Sequence, residues 1–152
     1  MKQITYYSTN NNKERVSFET ALMNGLASNY GLYMVSRKDI PLKPPDVIQS
    51  MKGLSYAQIA FQVLYPFLKE DVETKDLRKM LEDAYDEAII PTHVAHVTGR
   101  THIMWLTRGP TYSFKDYAAR FFGRVLNYFL TRSGSRRVVA VATSGEIGRA
   151  HV

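Results

Sequence analysis

Hydrophobic positions change their spacing along the chain, and each change marks an element. From Gln3 to Thr9, β-branched and aromatic residues predominate, as in a strand. The polar run Asn10-Asn11-Asn12-Lys13 predicts a turn. Ser17 suits a helix N-cap, and Glu19 suits the positive end of the helix that begins at Phe18. That helix carries Ala21, Leu22 and Met23 and stops near Gly25. Asn29-Tyr30-Gly31 turns the chain into a short extended piece, Leu32 to Val35. Pro44 or Pro45 can open a helix in its first turn, where a missing N–H costs little. Ser55 caps a further helix from Tyr56 to about Tyr65. Its Ile59, Ala60, Val63 and Leu64 recur at helical spacing, and Pro66 predicts its end or a kink. Thr74 caps another helix, with Leu77, Met80, Leu81, Ala84 and Tyr85 on one face.

Beyond Ile89 the pattern loosens. Pro91 to Gly99 reads as a connector with a short strand around Val94 to Val97, and a domain boundary falls between Ile89 and Thr101. Ile103 to Leu106 predicts a short buried strand, closed by Arg108-Gly109-Pro110. Asp116 to Thr131 is helical: Ala118, Phe121, Phe122, Val125, Leu126 and Phe129 form a wide apolar face, with Arg120, Arg124 and Asn127 outward. Gly134 stands where a helix C-terminus favours a left-handed residue. The apolar run from Arg136 to Ala142 predicts a parallel strand buried on both faces. Strand, loop, helix, strand is one βαβ unit. The expected fold class is therefore α/β: a small mixed α+β N-terminal domain, residues 1–90, then the first βαβ unit of an open sheet from residue 91.

Composition narrows the function. With 45% hydrophobic residues, the chain can build an ordinary globular core. The absence of cysteine removes disulfides, thiol nucleophiles and thiolate metal sites, and fits a reducing compartment. No apolar run reaches the roughly 18–20 residues of a membrane span. The N-terminus lacks the apolar stretch of a signal peptide. A cytoplasmic protein with no membrane partner is expected. The net charge is +6, but Lys and Arg are scattered among Asp and Glu. That pattern favours an anionic small molecule over nucleic acid.

The candidate chemistry lies in the loop Gly109-Pro110-Thr111-Tyr112-Ser113-Phe114-Lys115-Asp116, between a predicted strand and a predicted helix. Ligands in α/β sheets collect at such places. A lysine is unusual there, because cations prefer the other end of a helix. Condensation with an aldehyde requires an amine, which a lysine side chain supplies. Surface lysines are common, however, and the local pattern alone also fits an ordinary one.

The segment Gly109 to Phe121 resembles the cofactor-lysine segment of threonine synthases, which reads G-P-T-x-x-F-K-D-x-x-A/G-R-F. Val141-Ala142-Thr143-Ser144-Gly145 is similar to that family's A-T-S-G-D-T-G loop. Tyr6-Tyr7-Ser8-Thr9, Val16-Ser17-Phe18, Gly25-Leu26-Ala27 with Gly31-Leu32-Tyr33, and Gly53-Leu54-Ser55-Tyr56-Ala57 resemble its N-terminal domain. The blocks occur in family order along nearly the whole chain. The resemblance implies a pyridoxal 5'-phosphate (PLP) enzyme of the tryptophan synthase β-like fold, a carbon–oxygen lyase. It would convert O-phospho-L-homoserine and water to L-threonine and phosphate. It implies Lys115 as the catalytic, cofactor-binding Schiff-base lysine, and Thr143, Ser144 and Gly145 as the start of the loop holding the substrate carboxylate. A non-catalytic threonine-synthase-like protein that binds PLP or a phosphorylated metabolite is the alternative. A threonine dehydratase or cysteine synthase fits less well, since its cofactor lysine comes much earlier in the chain.

Two departures stand out. Arg108 replaces the family's usual His before Gly-Pro-Thr. After Gly145 the family's Asp-Thr-Gly gives way to Glu146-Ile147-Gly148-Arg149-Ala150-His151-Val152. These seven residues back-translate to a common sequencing adapter, so a non-native tail over 146–152 is expected. The cofactor domain would then occupy 91–145 and be truncated. Such a fragment would be inactive alone, because the family's phosphate loop lies further along. His93, His96 and His102 invite a metal reading, but their β-branched surroundings argue against a shared helical face, and no metal site is expected.

Overall fold

The computed structural model describes residues 3–140. The chain divides into two compact units, residues 1–78 and 79–152, and the division falls within a helix.

The first unit is built on a three-stranded antiparallel sheet. Strand β1 (Tyr6–Ser8) lies between β2 (Asn11–Val16) and β3 (Tyr33–Val35). The polar run expected to form a turn over 10–13 therefore belongs mostly to β2, and the reversal uses Thr9 and Asn10. Pairing with β1 outweighs the poor strand propensity of asparagine. Fully buried Ser8 donates to Asn29 Oδ1 at 2.7 Å, fastening the sheet to the following turn. Gly31 allows this approach, because a Cβ there would collide with Ser8 Oγ and lie 2.9 Å from the Asn10 nitrogen.

Helix α1 (Phe18–Asn24) begins as the sequence predicts: Ser17 Oγ accepts the Thr20 N–H at 3.1 Å. Helix α2 (Pro45–Ser50) has Pro45 in its first turn. Helix α3 (Tyr56–Leu68) opens with a full capping box, Ser55 Oγ accepting from Gln58 N and Gln58 Oε1 accepting from Ser55 N. Pro66 does not end it. Pro66 forfeits the bond its N–H would make to the Gln62 carbonyl, but the helix continues past it and Lys69 N reaches the Tyr65 carbonyl at 3.0 Å. Helix α4 (Thr74–Ala84) starts one residue earlier than a Thr74 cap would allow: Leu77 N donates to the Glu73 carbonyl. Its expected apolar face is buried at Leu77, Met80, Leu81 and Ala84. The core of the first unit comprises Ile4, Ala21, Ala27, Ala57, Phe61, Leu68 and Val72 with Leu77.

The second unit holds an antiparallel hairpin, β4 (His93–Thr98) and β5 (Thr101–Trp105), and helix α5 (Asp116–Ser133). The strand expected to be buried near Ile103 is instead exposed at every position of β5 and pairs with β4 across a turn at Gly99 and Arg100. The mixture of helices with small sheets agrees with the expected α/β class. The run from Arg136 to Ala140 forms no strand, and Val138 is 96% exposed. A parallel strand buried on both faces needs neighbours along its edges, and none pairs with it among the described residues. Helix α5 ends at left-handed Gly134, as predicted.

Candidate active site

The head of α5 is assembled by a loop folded back on the helix. Lys115 occupies the N-cap position in a right-handed helical conformation, and its side chain makes no capping bond. Neighbours supply the missing acceptors. Ser113 Oγ accepts the Lys115 N–H at 3.3 Å, and the Ser113 carbonyl accepts the Asp116 N–H at 3.1 Å. Asp116, an acid in the first turn where the helix dipole favours it, is only 6% exposed. Its carboxylate takes two bonds from one residue: Thr111 N–H at 2.9 Å on Oδ2 and Thr111 Oγ1 at 2.7 Å on Oδ1.

Gly109 makes this closure possible. A Cβ there would collide with Asp116 Oδ2 and lie 2.9 Å from Asp116 Cβ and 3.0 Å from its Cγ. Between Gly109 and Asp116 the chain passes through Tyr112, an aromatic residue at φ +57° whose N–H reaches the Gly109 carbonyl at 3.0 Å. Tyr112 and Phe114 both face solvent. Lys115 is half-buried, with Nζ 6.0 Å from the centre of the Phe114 ring.

The same helix is tied to the C-terminal end of α4. Arg120 Nε donates to the Ala84 carbonyl at 2.7 Å and its Nη2 to the Asp83 carbonyl at 3.0 Å. Arg124 adds a bond to the Asp83 carbonyl at 2.9 Å. These carbonyls are among the last four of α4, which have no intrahelical partner, and a cation there suits the helix dipole. Burial, and then the charge of Arg120, lower the pKa of Arg124, opposed by Asp83. The two arginines thus do not point idly outward, as their helical position predicts. Tyr85 donates to the Tyr117 carbonyl at 3.0 Å, and Tyr117 to the Pro91 carbonyl at 3.2 Å.

Of the residues singled out from sequence, Lys115 lies at this helix head, whereas Thr143, Ser144 and Gly145 fall outside the described residues. Arg108 is exposed one residue before Gly109. His96 and His102 face each other across the hairpin, ring centres 5.1 Å apart, while His93 pairs with Trp105. No group of three metal-ligating side chains occurs among the described residues. Sequence reasoning missed the work of Thr111, Asp116, Arg120 and Arg124. The signals were available: a threonine five residues before a first-turn aspartate, and arginines four apart on one helix face.

The model for "Threonine synthase N terminus" matches residues 5–85. A threonine synthase from Pseudomonas aeruginosa is 35% identical over 151 residues, covering 97% of this chain and 31% of its own length. One from Schizosaccharomyces pombe is 31% identical over 161 residues, covering 99% of this chain and again 31% of its own length. The crystal structure of PLP-bound threonine synthase from Brucella melitensis superposes with a TM-score of 0.79 at 28% identity, over 88% of this chain and 29% of that one. The chain thus spans about a third of the length of the curated relatives it matches. With the family model matching more than half of its residues, the chain belongs to the threonine synthase family.

Proposed function

We propose that this chain is the N-terminal part of a cytoplasmic threonine synthase in which Lys115 holds pyridoxal 5'-phosphate. Residues 1–90 are its N-terminal domain, 91–145 begin the cofactor domain, and 146–152 are a non-native tail. The complete protein converts O-phospho-L-homoserine and water to L-threonine and phosphate, with no nucleic-acid or membrane partner. Among the described residues no helix is long and apolar enough to cross a membrane.

The observation that carries this reading is the position of Lys115. A primary amine stands at the head of an 18-residue helix, on a loop whose carboxylate is already bonded to Thr111. That donor set fits an aldehyde cofactor. When bound, the cofactor supplies an electron sink for a carbanion on the substrate. Lys115 Nζ would hold it as the one primary amine at this helix head, and as a base it would move protons on the substrate in a reaction that expels phosphate from the γ-carbon and adds water at the β-carbon. Thr143, Ser144 and Gly145 begin the loop that holds the substrate carboxylate.

The test is phosphate release from O-phospho-L-homoserine by the protein of the complete reading frame. Release is expected from it, with abolition by Lys115→Ala and none from the 152-residue chain alone. Release by that chain would overturn the fragment reading.

A further inference from the structure

The N-cap of a helix favours Ser, Thr, Asp or Asn, whose side chains accept an orphan N–H. In α5 that position is occupied by Lys115, which caps nothing with its side chain. Ser113 Oγ accepts the N–H of Lys115 itself, the Phe114 and Lys115 carbonyls accept those of Tyr117 and Ala118, and Thr111 reaches over the intervening residues to bond both oxygens of buried Asp116. The ring closed by these two bonds runs from Thr111 to Asp116 and contains Lys115 as its last residue before the carboxylate. It also holds Tyr112 at φ +57°, which an aromatic residue adopts only where neighbours over-determine it.

We propose that Thr111 and Asp116 are positioning residues: their paired bond sets where Lys115 stands at the head of α5, and so its reactivity toward the cofactor aldehyde. This rests on the reading of Lys115 as the cofactor lysine. Neither side chain is assigned contact with substrate or cofactor. Both act through the loop.

The experiment incubates the protein of the complete reading frame with pyridoxal 5'-phosphate, traps the adduct with borohydride, and maps the label over its lysines by mass spectrometry. Wild type and Thr111→Ser, which keeps both bonds, are expected to label Lys115 preferentially. In Thr111→Val and Asp116→Asn the Lys115 label falls about tenfold, while the other lysines are unchanged, because misplacement costs reactivity only at the misplaced group. Far-ultraviolet circular dichroism checks that helix content is retained. If Thr111→Val loses helix, Asp116→Asn, which keeps one acceptor oxygen, carries the comparison. Undiminished Lys115 labelling in a folded variant overturns the positioning role and leaves the cofactor reading standing. No preference for Lys115 in wild type overturns the cofactor reading, and the positioning role with it.

Discussion

Gly109→Ala isolates the closest packing in the candidate site. The new methyl would collide with Asp116 Oδ2 and sit 2.9 Å and 3.0 Å from Asp116 Cβ and Cγ. Asp116 cannot swing away cheaply, because it is 6% exposed and both its oxygens are bonded to Thr111. Either the backbone shifts, an overpacking cost of about 1–3 kcal/mol, or one charged hydrogen bond breaks, about 1.5–3 kcal/mol. Relaxation follows the cheaper route or a mixture of the two, so a loss of roughly 1–3 kcal/mol is expected. Urea denaturation followed by the fluorescence of Trp105, the only tryptophan and in the same unit, reads it directly. Gly123→Ala is the control: it lies within α5 with nothing within 4 Å of the added Cβ. There the same change should stabilise by about 0.5–1 kcal/mol, because glycine is a poor helix former. A Gly109→Ala protein within about 0.5 kcal/mol of wild type, the usual spread for featureless surface sites, would refute the packed loop.

Other perturbations probe the elements behind the site. Arg120→Ala removes the bonds to the Ala84 and Asp83 carbonyls and should cost about 1–2 kcal/mol by the same denaturation; Arg120→Lys should recover only part of it, since an ammonium cannot reproduce the fork. Ser55→Ala breaks the capping box of α3 and should cost about 1 kcal/mol, read as a lower urea midpoint by circular dichroism. Tyr6 is pushed from 10.0 up to about 12, chiefly by burial and then by the charge of Asp71. Folding favours its protonated form, so its contribution is complete below pH 10.0 and is lost as pH rises from there to about 12. Tyr6→Phe should flatten the alkaline decline of stability in that window; an unchanged slope would remove Tyr6 as its source.

What the sequence made legible was local. The Ser17 and Ser55 caps, the helix opened by Pro45, the Leu77-Met80-Leu81-Ala84 face and the Gly134 terminus each depend on a few neighbouring residues, and each is present. The misreadings concern strands, whose pairing depends on distant chain. Asn11 to Lys13 resemble a turn in isolation but pair with β1. Ile103 to Trp105 resemble a buried strand, yet they form half of an exposed hairpin. The site divides the same way. Lys115 was visible through its motif, while the reasons for the surrounding Gly, Thr, Asp and Arg became visible only with contacts five to forty-one residues apart. Gly109, read from sequence as part of the close of a strand, proves to be the gap that admits a buried carboxylate.

The most direct test of the central claim is phosphate release from O-phospho-L-homoserine by the complete protein and its Lys115→Ala variant, assayed side by side. Release by the first and none above background by the second is the expected result. Equal release from both would contradict Lys115 as the cofactor lysine, and release from neither, by folded protein carrying pyridoxal phosphate, would contradict the assignment as a threonine synthase and favour a cofactor-binding relative that does not catalyse the reaction.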